Sequence, residues 1–413
     1  MNTQNDFQRA MDYYESGHFQ EALDIWKGMT DNAIALYNAG CIYYGGKVQT
    51  NDRLTSAFDC FYKSSELNYA PATFYCGYIY ELLGPKSYDE AAKCYHKCLY
   101  DGDGLKGLYS LAEKGHLMSQ YLLGNLYYEG GGDHLDRYQE SEKWCLKAYN
   151  NGDRYFSPCV LGHIYKDYLV DKDKAFFYFK TSANAGNHKA FGPLGDCYRV
   201  GLGTGKNYTE AINWYTKGAN SGHEDARFFL GLMHLCGMGC KPNRDFAVSC
   251  FDRVVNSNNA KFTYFIGLMY YRQYRGLNDK IKAINLFKKS AEGGFQLAII
   301  QLGKMYYFGE DVVQDYNQAF RLFKSIEKDP VAQEYLGHCY YFGHGCQKDT
   351  TIAKSYFKKS IDGGNDSARK YLNSDMELKP YSKWELEKDG AEILGGAAAF
   401  ILGTILSSFG DND

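Results

Sequence analysis

The sequence is poor in proline and carries no excess of positive charge. Only seven prolines occur among its 413 residues, and this scarcity favours a helical chain because proline breaks helix interiors. The 46 lysines and arginines are outnumbered by 49 aspartates and glutamates, which gives a net charge of −3. Nucleic-acid-binding surfaces are typically rich in lysine and arginine. We therefore expect no nucleic acid among the partners of this chain.

An apolar run of the kind that forms a secretory signal is missing from the N-terminal residues MNTQNDFQRAMDYYES. We therefore expect a chain that is cytoplasmic, or that faces the cytosol at a membrane, and that is not secreted by an N-terminal signal. In this reducing compartment the thirteen cysteines are expected to remain free thiols.

The most prominent feature of the sequence is a repeat of about 36 residues, the length of one helix–turn–helix unit. It contains a glycine, a tyrosine three residues later and then a glycine-containing turn. The repeat glycines are Gly40, Gly77, Gly124, Gly162, Gly195, Gly231, Gly267, Gly303 and Gly337. The tyrosines are Tyr43, Tyr80, Tyr127, Tyr165, Tyr198, Tyr270, Tyr306 and Tyr340, and His234 takes this place in one repeat. The high tyrosine content is therefore expected to be largely architectural.

The second half of each repeat carries an alanine sixteen residues after the glycine and an aromatic residue four residues beyond it. In the regular repeats the alanines are Ala211, Ala247, Ala283, Ala319 and Ala353. The aromatic residues are Phe61, Tyr95, Phe179, Tyr215, Phe251, Phe287, Phe323 and Phe357, with Cys145 as the exception. Residues i and i+4 lie on one face of a helix. We interpret the pair as a packing code, in which alanine permits close helix approach and the ring fills the space beside it.

The clearest copy, residues 194–223, reads LGDCYRVGLGTGKNYTEAINWYTKGANSGH and resembles the Sel1-like repeat family, a relative of the tetratricopeptide repeats. The resemblance covers residues 31–373 with about nine copies in register. It implies an all-α fold, in which antiparallel helix pairs stack into a right-handed superhelix, or solenoid, with a concave groove. It also implies a non-enzymatic scaffold or adaptor that binds other proteins.

Some secreted members of this family link the two helices of a repeat by a disulfide. By that resemblance Cys41 would pair with Cys60, and Cys76 with Cys94. Later repeats lack the pairing, so we favour reduced core cysteines.

Two local motifs are similar to ligand-binding loops but lack required residues. Residues 201–207, GLGTGKN, have Val200 at the position of the first glycine of a phosphate loop and Asn207 at that of its hydroxyl residue. Residues 101–104, DGDG, begin like a calcium loop, but Ala112 takes the place of the glutamate at the twelfth position. We interpret both segments as turns.

Cysteine and histidine cluster at residues 234–240 and 338–346. Because Cys240 and Cys346 occupy the same position in two repeats, we interpret them as packing residues of a turn rather than as zinc ligands. The ten histidines fall mostly at helix ends, and no convergent catalytic set emerges from them. We therefore predict no catalytic, cofactor-binding or metal-binding residue and no enzyme activity.

The chain departs from the repeat in several places. Residues 1–30 are similar to an ordinary tetratricopeptide unit and are predicted to form a capping helix pair. An extra half-unit is predicted near residues 105–116, within the array of about nine repeats at 31–373. A linker at 374–390 then leads to an apolar, glycine-rich C-terminal helix at 391–409.

Residues 393–409 of that segment, ILGGAAAFILGTILSSF, contain no charged residue and reach the low end of the length needed to span a bilayer. Small residues recur at every fourth position, which suits close helix packing in lipid. They are Gly395, Ala399, Gly403 and Ser407. Three roles are open for this segment: membrane contact, homo-oligomerisation, and an apolar helix that covers the last repeat.

The positions next to the repeat tyrosines vary, and variation on a constant frame is typical of a recognition surface. We predict a surface that binds partner proteins and includes Tyr44, Tyr128, Arg199, Tyr271, Tyr307 and Tyr341. The alternative is that these side chains pack against the next repeat. For the whole protein, the alternatives to a scaffold are a membrane-tethered or oligomerising adaptor and a regulator or toxin-neutralising protein with one dedicated partner.

Overall fold

The computed structural model describes residues 3–50, 52–99, 104–130 and 135–372, which form α-helices and turns without a β-strand. The helices up to residue 190 are α1 (Thr3–Glu15), α2 (Phe19–Gly28), α3 (Ala33–Tyr44), α4 (Arg53–Glu66), α5 (Ala70–Leu82), α6 (Tyr88–Lys97), α7 (Gly104–Glu113), α8 (Leu117–Glu129), α9 (Leu135–Asn150), α10 (Ser157–Asp167) and α11 (Lys172–Asn184). The later helices are α12 (Phe191–Val200), α13 (Tyr208–Asn220), α14 (Glu224–Cys236), α15 (Arg244–Asn256), α16 (Ala260–Tyr271), α17 (Lys280–Glu292), α18 (Gln296–Phe308), α19 (Tyr316–Ser325), α20 (Pro330–Phe342), α21 (Thr350–Asp362) and α22 (Arg369–Leu372). Short 3-10 helices lie at Pro85–Ser87, His188–Ala190, Tyr274–Gly276 and Asp366–Ala368.

The predicted all-α solenoid fold is confirmed. The chain divides into two compact units, Met1–Ala190 and Phe191–Asp413, and within each unit every helix packs against the one before it and the one after it. In each repeat the first helix, helix A, carries the repeat glycine, and the second, helix B, carries the aromatic residue or, in α9, Cys145. Helix A is α3, α5, α8, α10, α12, α14, α16, α18 or α20, and the partner helix B is α4, α6, α9, α11, α13, α15, α17, α19 or α21.

The apolar segment predicted at residues 391–409, with its small-residue stripe, lies outside the described residues, as does the linker at 374–390. Among the helices that the structure does describe, none is long and apolar enough to cross a membrane.

The predicted capping pair at residues 1–30 corresponds to α1 and α2. Its core is Trp26, whose side chain is only 1% exposed. The ring of Trp26 lies 6.3 Å from that of Phe7 and 5.6 Å from that of Tyr14. An aromatic cluster thus joins the two helices, in place of the glycine and aromatic pair of the later repeats.

The ends of helix B and helix A are set by short-range hydrogen bonds. Seven B helices begin at an aspartate or asparagine whose side chain accepts the backbone N–H of the third helical residue, which would otherwise lack a partner. These residues are Asp52, Asp171, Asn207, Asn243, Asp279, Asp315 and Asp349. Three A helices end at a glycine in the left-handed conformation, namely Gly237, Gly309 and Gly343. The segment 201–207 is such a turn between helix A and helix B, and Asn207 caps α13.

Helix A lies against helix B where its repeat glycine meets the aromatic residue of helix B. The alanines of the predicted packing code are fully buried, as at Ala319 and Ala353. A Cβ atom placed on Gly303 would lie 2.6 Å from a ring carbon of Phe323, and one placed on Gly337 would lie 2.6 Å from Phe357. The two phenylalanine side chains are at most 1% exposed. Only glycine therefore allows helix A to lie directly on the ring of helix B.

The extra segment predicted near residues 105–116 contains α7, which packs against both α6 and α8. A Cβ atom on Gly107 would lie 2.5 Å from the ring of Tyr95, and one on Gly77 would lie 2.8 Å from it. Tyr95 of α6 is thus held between a glycine of its own helix A and a glycine of α7. The extra helix joins the solenoid by repeating the glycine–aromatic contact.

A buried carboxylate, Glu81, also holds α7 in place. It accepts hydrogen bonds from Tyr95 Oη (2.6 Å) and from Ser110 Oγ (2.8 Å), and it forms an ion pair with Lys114. Burial alone raises the pKa of Glu81, but the hydrogen bonds from Lys114, Tyr95 and Ser110 outweigh it and hold the pKa below its usual value. Glu81 therefore stays ionised at neutral pH.

Substituting Gly303 by alanine is expected to lower the free energy of unfolding of the second unit by about 1–3 kcal/mol, because the added methyl group meets the Phe323 ring. The matched control is Gly205→Ala, since a Cβ atom at Gly205 meets nothing within 4 Å. Urea unfolding followed by circular dichroism measures both variants. Equal stability of the two would show that the close approach is not required.

Replacing Glu81 by glutamine is expected to lower the thermal unfolding midpoint at pH 7 because the ion pair with Lys114 is lost. Since the pKa of Glu81 is lowered by folding, its contribution is present above the unfolded pKa of about 4.3 and disappears as the pH falls through the folded value. The difference between Glu81→Gln and the unchanged protein should therefore shrink below about pH 4. Calorimetry at several pH values checks this, and a pH-independent difference would contradict it.

Candidate functional site

The structure places Arg199 in the interior, at 6% exposure. Its Nε donates to Tyr215 Oη at 2.9 Å, its terminal nitrogen pairs with Asp196 at 2.9 Å, and its guanidinium lies 4.7 Å from the centre of the Phe229 ring. Tyr215 is the buried aromatic residue of helix B, and its hydroxyl also donates to Asp196 at 2.6 Å. Arg199 is therefore a buried hydrogen-bond donor to the Tyr215 hydroxyl of its own repeat.

Tyr307 is also buried, at 4% exposure. His344 Nδ1 lies 3.0 Å from its hydroxyl, and the centre of the Tyr335 ring lies 5.9 Å from that of Tyr307. Both neighbours belong to the following repeat. Tyr307 thus joins two repeats, as the packing alternative predicts.

Three further predicted residues, Tyr44, Tyr128 and Tyr341, are half-buried. The Tyr44 ring centre lies 5.6 Å from that of Tyr75, and the Tyr128 ring centre lies 6.4 Å from that of Tyr168. Each of these two contacts is with the following repeat. Part of each of the three side chains remains exposed, so their contact with a partner protein stays a prediction.

The sixth predicted residue, Tyr271, makes polar contacts with the loop between α18 and α19. Its hydroxyl donates to Asp311 at 2.7 Å and to Glu310 at 3.1 Å, and Asp311 forms an ion pair with Lys280 at 2.9 Å. Asp311 belongs to the loop of residues 309–315 that joins α18 to α19, and Lys280 begins α17. A polar link therefore fixes this loop over the start of α17.

Beside that link lies an open groove between α17 and α19, here called the α17–α19 groove. It consists of two adjoining cavities of about 420 and 770 Å³. Both cavities are lined by Lys288, Tyr306, Asp315 and Gln318. The first also includes Ile281, Ile284, Val312 and Val313, and the second also includes Leu302, Arg321 and Leu322.

Two aliphatic side chains at this groove are unusually accessible. Val313 is 88% exposed and Ile281 is 75% exposed, the highest values for any large apolar side chain in the described part of the chain. Single exposed aliphatic residues are common on soluble proteins, whereas apolar side chains that flank one concave surface mark an interaction site. The groove is therefore the strongest candidate for binding.

The loop at 309–315, which lines the groove, differs in sequence from the loops that follow α14 and α20. In those two loops the second residue after the first glycine is again a glycine, Gly239 or Gly345, with φ of +70° and +74°. A Cβ atom on Gly239 would lie 2.7 Å from Tyr208, at the start of the preceding helix B. Asp311 stands at this position with φ of +55°, a conformation that aspartate tolerates. Its carboxylate pairs with Lys280 at the start of α17.

The rim of the groove carries charges of both signs. Lys288 and Arg321 lie on it together with Asp315. The backbone N–H of Gln318 donates to the Asp315 carboxylate at 3.0 Å, and this bond lowers the pKa of Asp315. An apolar floor with a rim of mixed charge suits a protein segment with apolar side chains on one face.

All thirteen cysteines are free thiols, including Cys41, Cys60, Cys76 and Cys94. Burial raises the pKa of Cys76 to about 12 and that of Cys94 to about 11, so neither thiol is activated as a nucleophile. Over the described ranges, no group of three or more histidine, cysteine, aspartate or glutamate side chains is arranged to hold a metal ion.

The sequence interpretation of the binding surface considered helix A and missed the α17–α19 groove. Its lining comes from the B helices α17 and α19, from α18 and from the 309–315 loop. The signals that could have revealed it are Asp311 in place of the second loop glycine and the adjacent valines Val312 and Val313.

Comparison with known proteins identifies the repeat. A sequence model of the Sel1 repeat matches well over half of the chain. The matched segments are residues 33–69, 70–103, 117–153, 164–187, 194–223, 224–253, 260–295, 296–325 and 330–365. No curated protein matches the sequence.

Two solved structures of similar fold are repeat proteins from bacteria. A Sel1 repeat protein from Oxalobacter formigenes is 22% identical, with a TM-score of 0.50 over 79% of this chain and 94% of that one. A protective antigen of uropathogenic Escherichia coli with an SLR fold is 23% identical, with a TM-score of 0.34 over 91% of this chain and 94% of that one. At 22% identity, the similarity to the Oxalobacter formigenes protein shows the fold alone.

Substituting Arg199 by leucine is expected to lower the free energy of unfolding by about 2–4 kcal/mol, because Tyr215 and Asp196 lose their buried cationic partner. The control is Lys166→Leu, since Lys166 holds the same repeat position, has a side chain 41% exposed and belongs to a repeat with Phe179 in helix B. That change should stay within about 0.5 kcal/mol.

Arg199→Leu should lower the free energy of unfolding by less when it is combined with Tyr215→Phe, because the hydroxyl that Arg199 contacts is then absent. Urea unfolding of the unchanged protein, the two single variants and the double variant gives the coupling free energy between Arg199 and Tyr215. An unchanged cost in that background would contradict the structural role of Arg199.

Proposed function

The chain belongs to the Sel1 repeat family, and we propose that it is a non-enzymatic scaffold that binds a partner protein through the α17–α19 groove. Sel1 and tetratricopeptide-like repeat proteins generally mediate protein–protein interactions. The observation that carries the proposal is a concave surface, lined in part by apolar side chains, that includes the two most accessible aliphatic side chains of the described residues, Ile281 and Val313.

The partner is a protein segment that presents apolar side chains to the groove floor and polar groups to its rim. Tyr306 supplies an aromatic surface, and the apolar side chains of Ile284 and Val312 lie beside it. Aromatic and aliphatic residues in a concave patch are the usual anchors of a protein interface. The balanced charge of the chain supports a protein partner rather than a nucleic acid.

The groove is separate from most of the residues that hold the repeats together. Ile281 and Val313 contribute little to the core because most of their surface faces solvent. Binding through these side chains therefore needs no rearrangement of the glycine–aromatic contacts. We place this interaction in the cytosol or at a cytosolic membrane face as part of the proposal.

A photo-crosslinking amino acid at Asn285, which lines the groove, should capture the partner in cells. The matched control is the same amino acid at Asn213, which is exposed at the same position of helix B two repeats earlier. Mass spectrometry of the adducts identifies the partner. Equal adducts from the two positions would contradict a role for the groove.

The partner so identified should bind the double variant Ile281→Asp, Val313→Asp at least tenfold more weakly, since two apolar contacts are lost. Folding should be unaffected, because both residues are exposed and aspartate is favourable in the first turn of α17. Thr209→Asp, at the position that corresponds to Ile281 in α13, is the control. Calorimetric titration measures the affinities, and unchanged binding by the double variant would contradict the proposal.

A further inference from the structure

The second unit contains two places where an additional apolar segment could be buried. One is the α17–α19 groove, and the other is the end of the repeat array at α21. These two places differ in how much apolar surface they still expose.

The end of the array is already covered. Tyr371 of α22 lies with its ring centre 4.9 Å from that of Phe357 and 4.6 Å from that of His338, and Ala368 beside it is fully buried. The 3-10 turn at Asp366–Ala368 and α22 therefore take the place of the next helix A. The α17–α19 groove has no such cover over Ile281 and Val313.

The chain itself contains an apolar segment of matching chemistry. Residues 393–409 carry no charge and include isoleucine, leucine and phenylalanine side chains. In water such a segment gains free energy when it is buried against other apolar surface. The groove floor, formed by Ile284, Tyr306 and Leu322, offers that surface on the same molecule.

The connection between the two is long enough. Residues 373–392 provide 20 residues, which span up to about 70 Å when extended. From α21 the groove is reached by way of α20, α19, α18 and α17, which pack consecutively. At roughly 10 Å between packed helices, that path is at most about 40 Å.

We propose that residues 393–409 occupy the α17–α19 groove of the same molecule when no partner is bound. The inference rests on the groove being a binding surface, as the proposed function does, but it assigns a different occupant. The segment and the partner then compete for the groove, and partner binding releases the segment. Because the segment is tethered, its effective concentration is high and the groove stays covered without a partner.

The test uses the full purified chain with a photo-crosslinking amino acid at Ile281, and Thr209 is the control position. We expect a crosslink from position 281 to peptides within 391–409, none from position 209, and a yield that is unchanged by tenfold dilution. The double variant Ile401→Asp, Ile405→Asp should reduce this crosslink at least tenfold, whereas Ser408→Asp should leave it in place.

Three results would overturn the inference. One is the absence of the crosslink from position 281. Another is a yield that falls on dilution, which indicates a second copy of the chain as the occupant. The last is loss of the crosslink in the presence of phosphatidylcholine–phosphatidylglycerol vesicles with co-flotation of the protein, which indicates that the segment enters lipid. Crosslinking of a partner from position 285 is a separate measurement. It can therefore succeed even when the crosslink from position 281 to residues 391–409 is absent.

Discussion

The structure depends on the contact between a glycine of helix A and an aromatic ring of helix B. At Gly303 and Phe323 a single Cβ atom would close the gap to 2.6 Å, so the distance between the two helices is set by the missing side chain. The same contact recurs along the chain and sets the spacing within most helix pairs. Since each repeat touches only its neighbours, a local change in one repeat alters the surface there without disturbing the others.

This constraint explains which features could be predicted from the sequence. Residues that make the glycine–aromatic contact recur at a fixed period and are buried, so the all-α repeat fold is readable from their spacing alone. Arg199 was harder to interpret, because a charged residue at a variable position is expected on the surface. Its place is determined by Tyr215, whose buried hydroxyl needs partners. Glu81 holds the same repeat position beside Tyr95, the other helix B tyrosine of the repeat set.

The α17–α19 groove could not be predicted in the same way. Part of its lining comes from the 309–315 loop, whose residues do not follow the repeat pattern. Asp311 of this loop stands where Gly239 and Gly345 stand in two other loops, and it pairs with Lys280. The candidate binding surface thus includes a turn whose sequence differs between repeats, and periodicity alone does not predict it.

Tyr271 connects the groove to the glycine–aromatic frame. Tyr271 packs on Phe287, the helix B aromatic residue of its repeat, at 5.9 Å between ring centres, and its hydroxyl donates to Asp311 of the loop. A ligand that moves the loop would therefore change the environment of α16 and α17. In a solenoid such a change reaches the adjacent repeats first and weakens with each further interface. The arrangement favours a protein that presents separate local surfaces over one that couples distant sites.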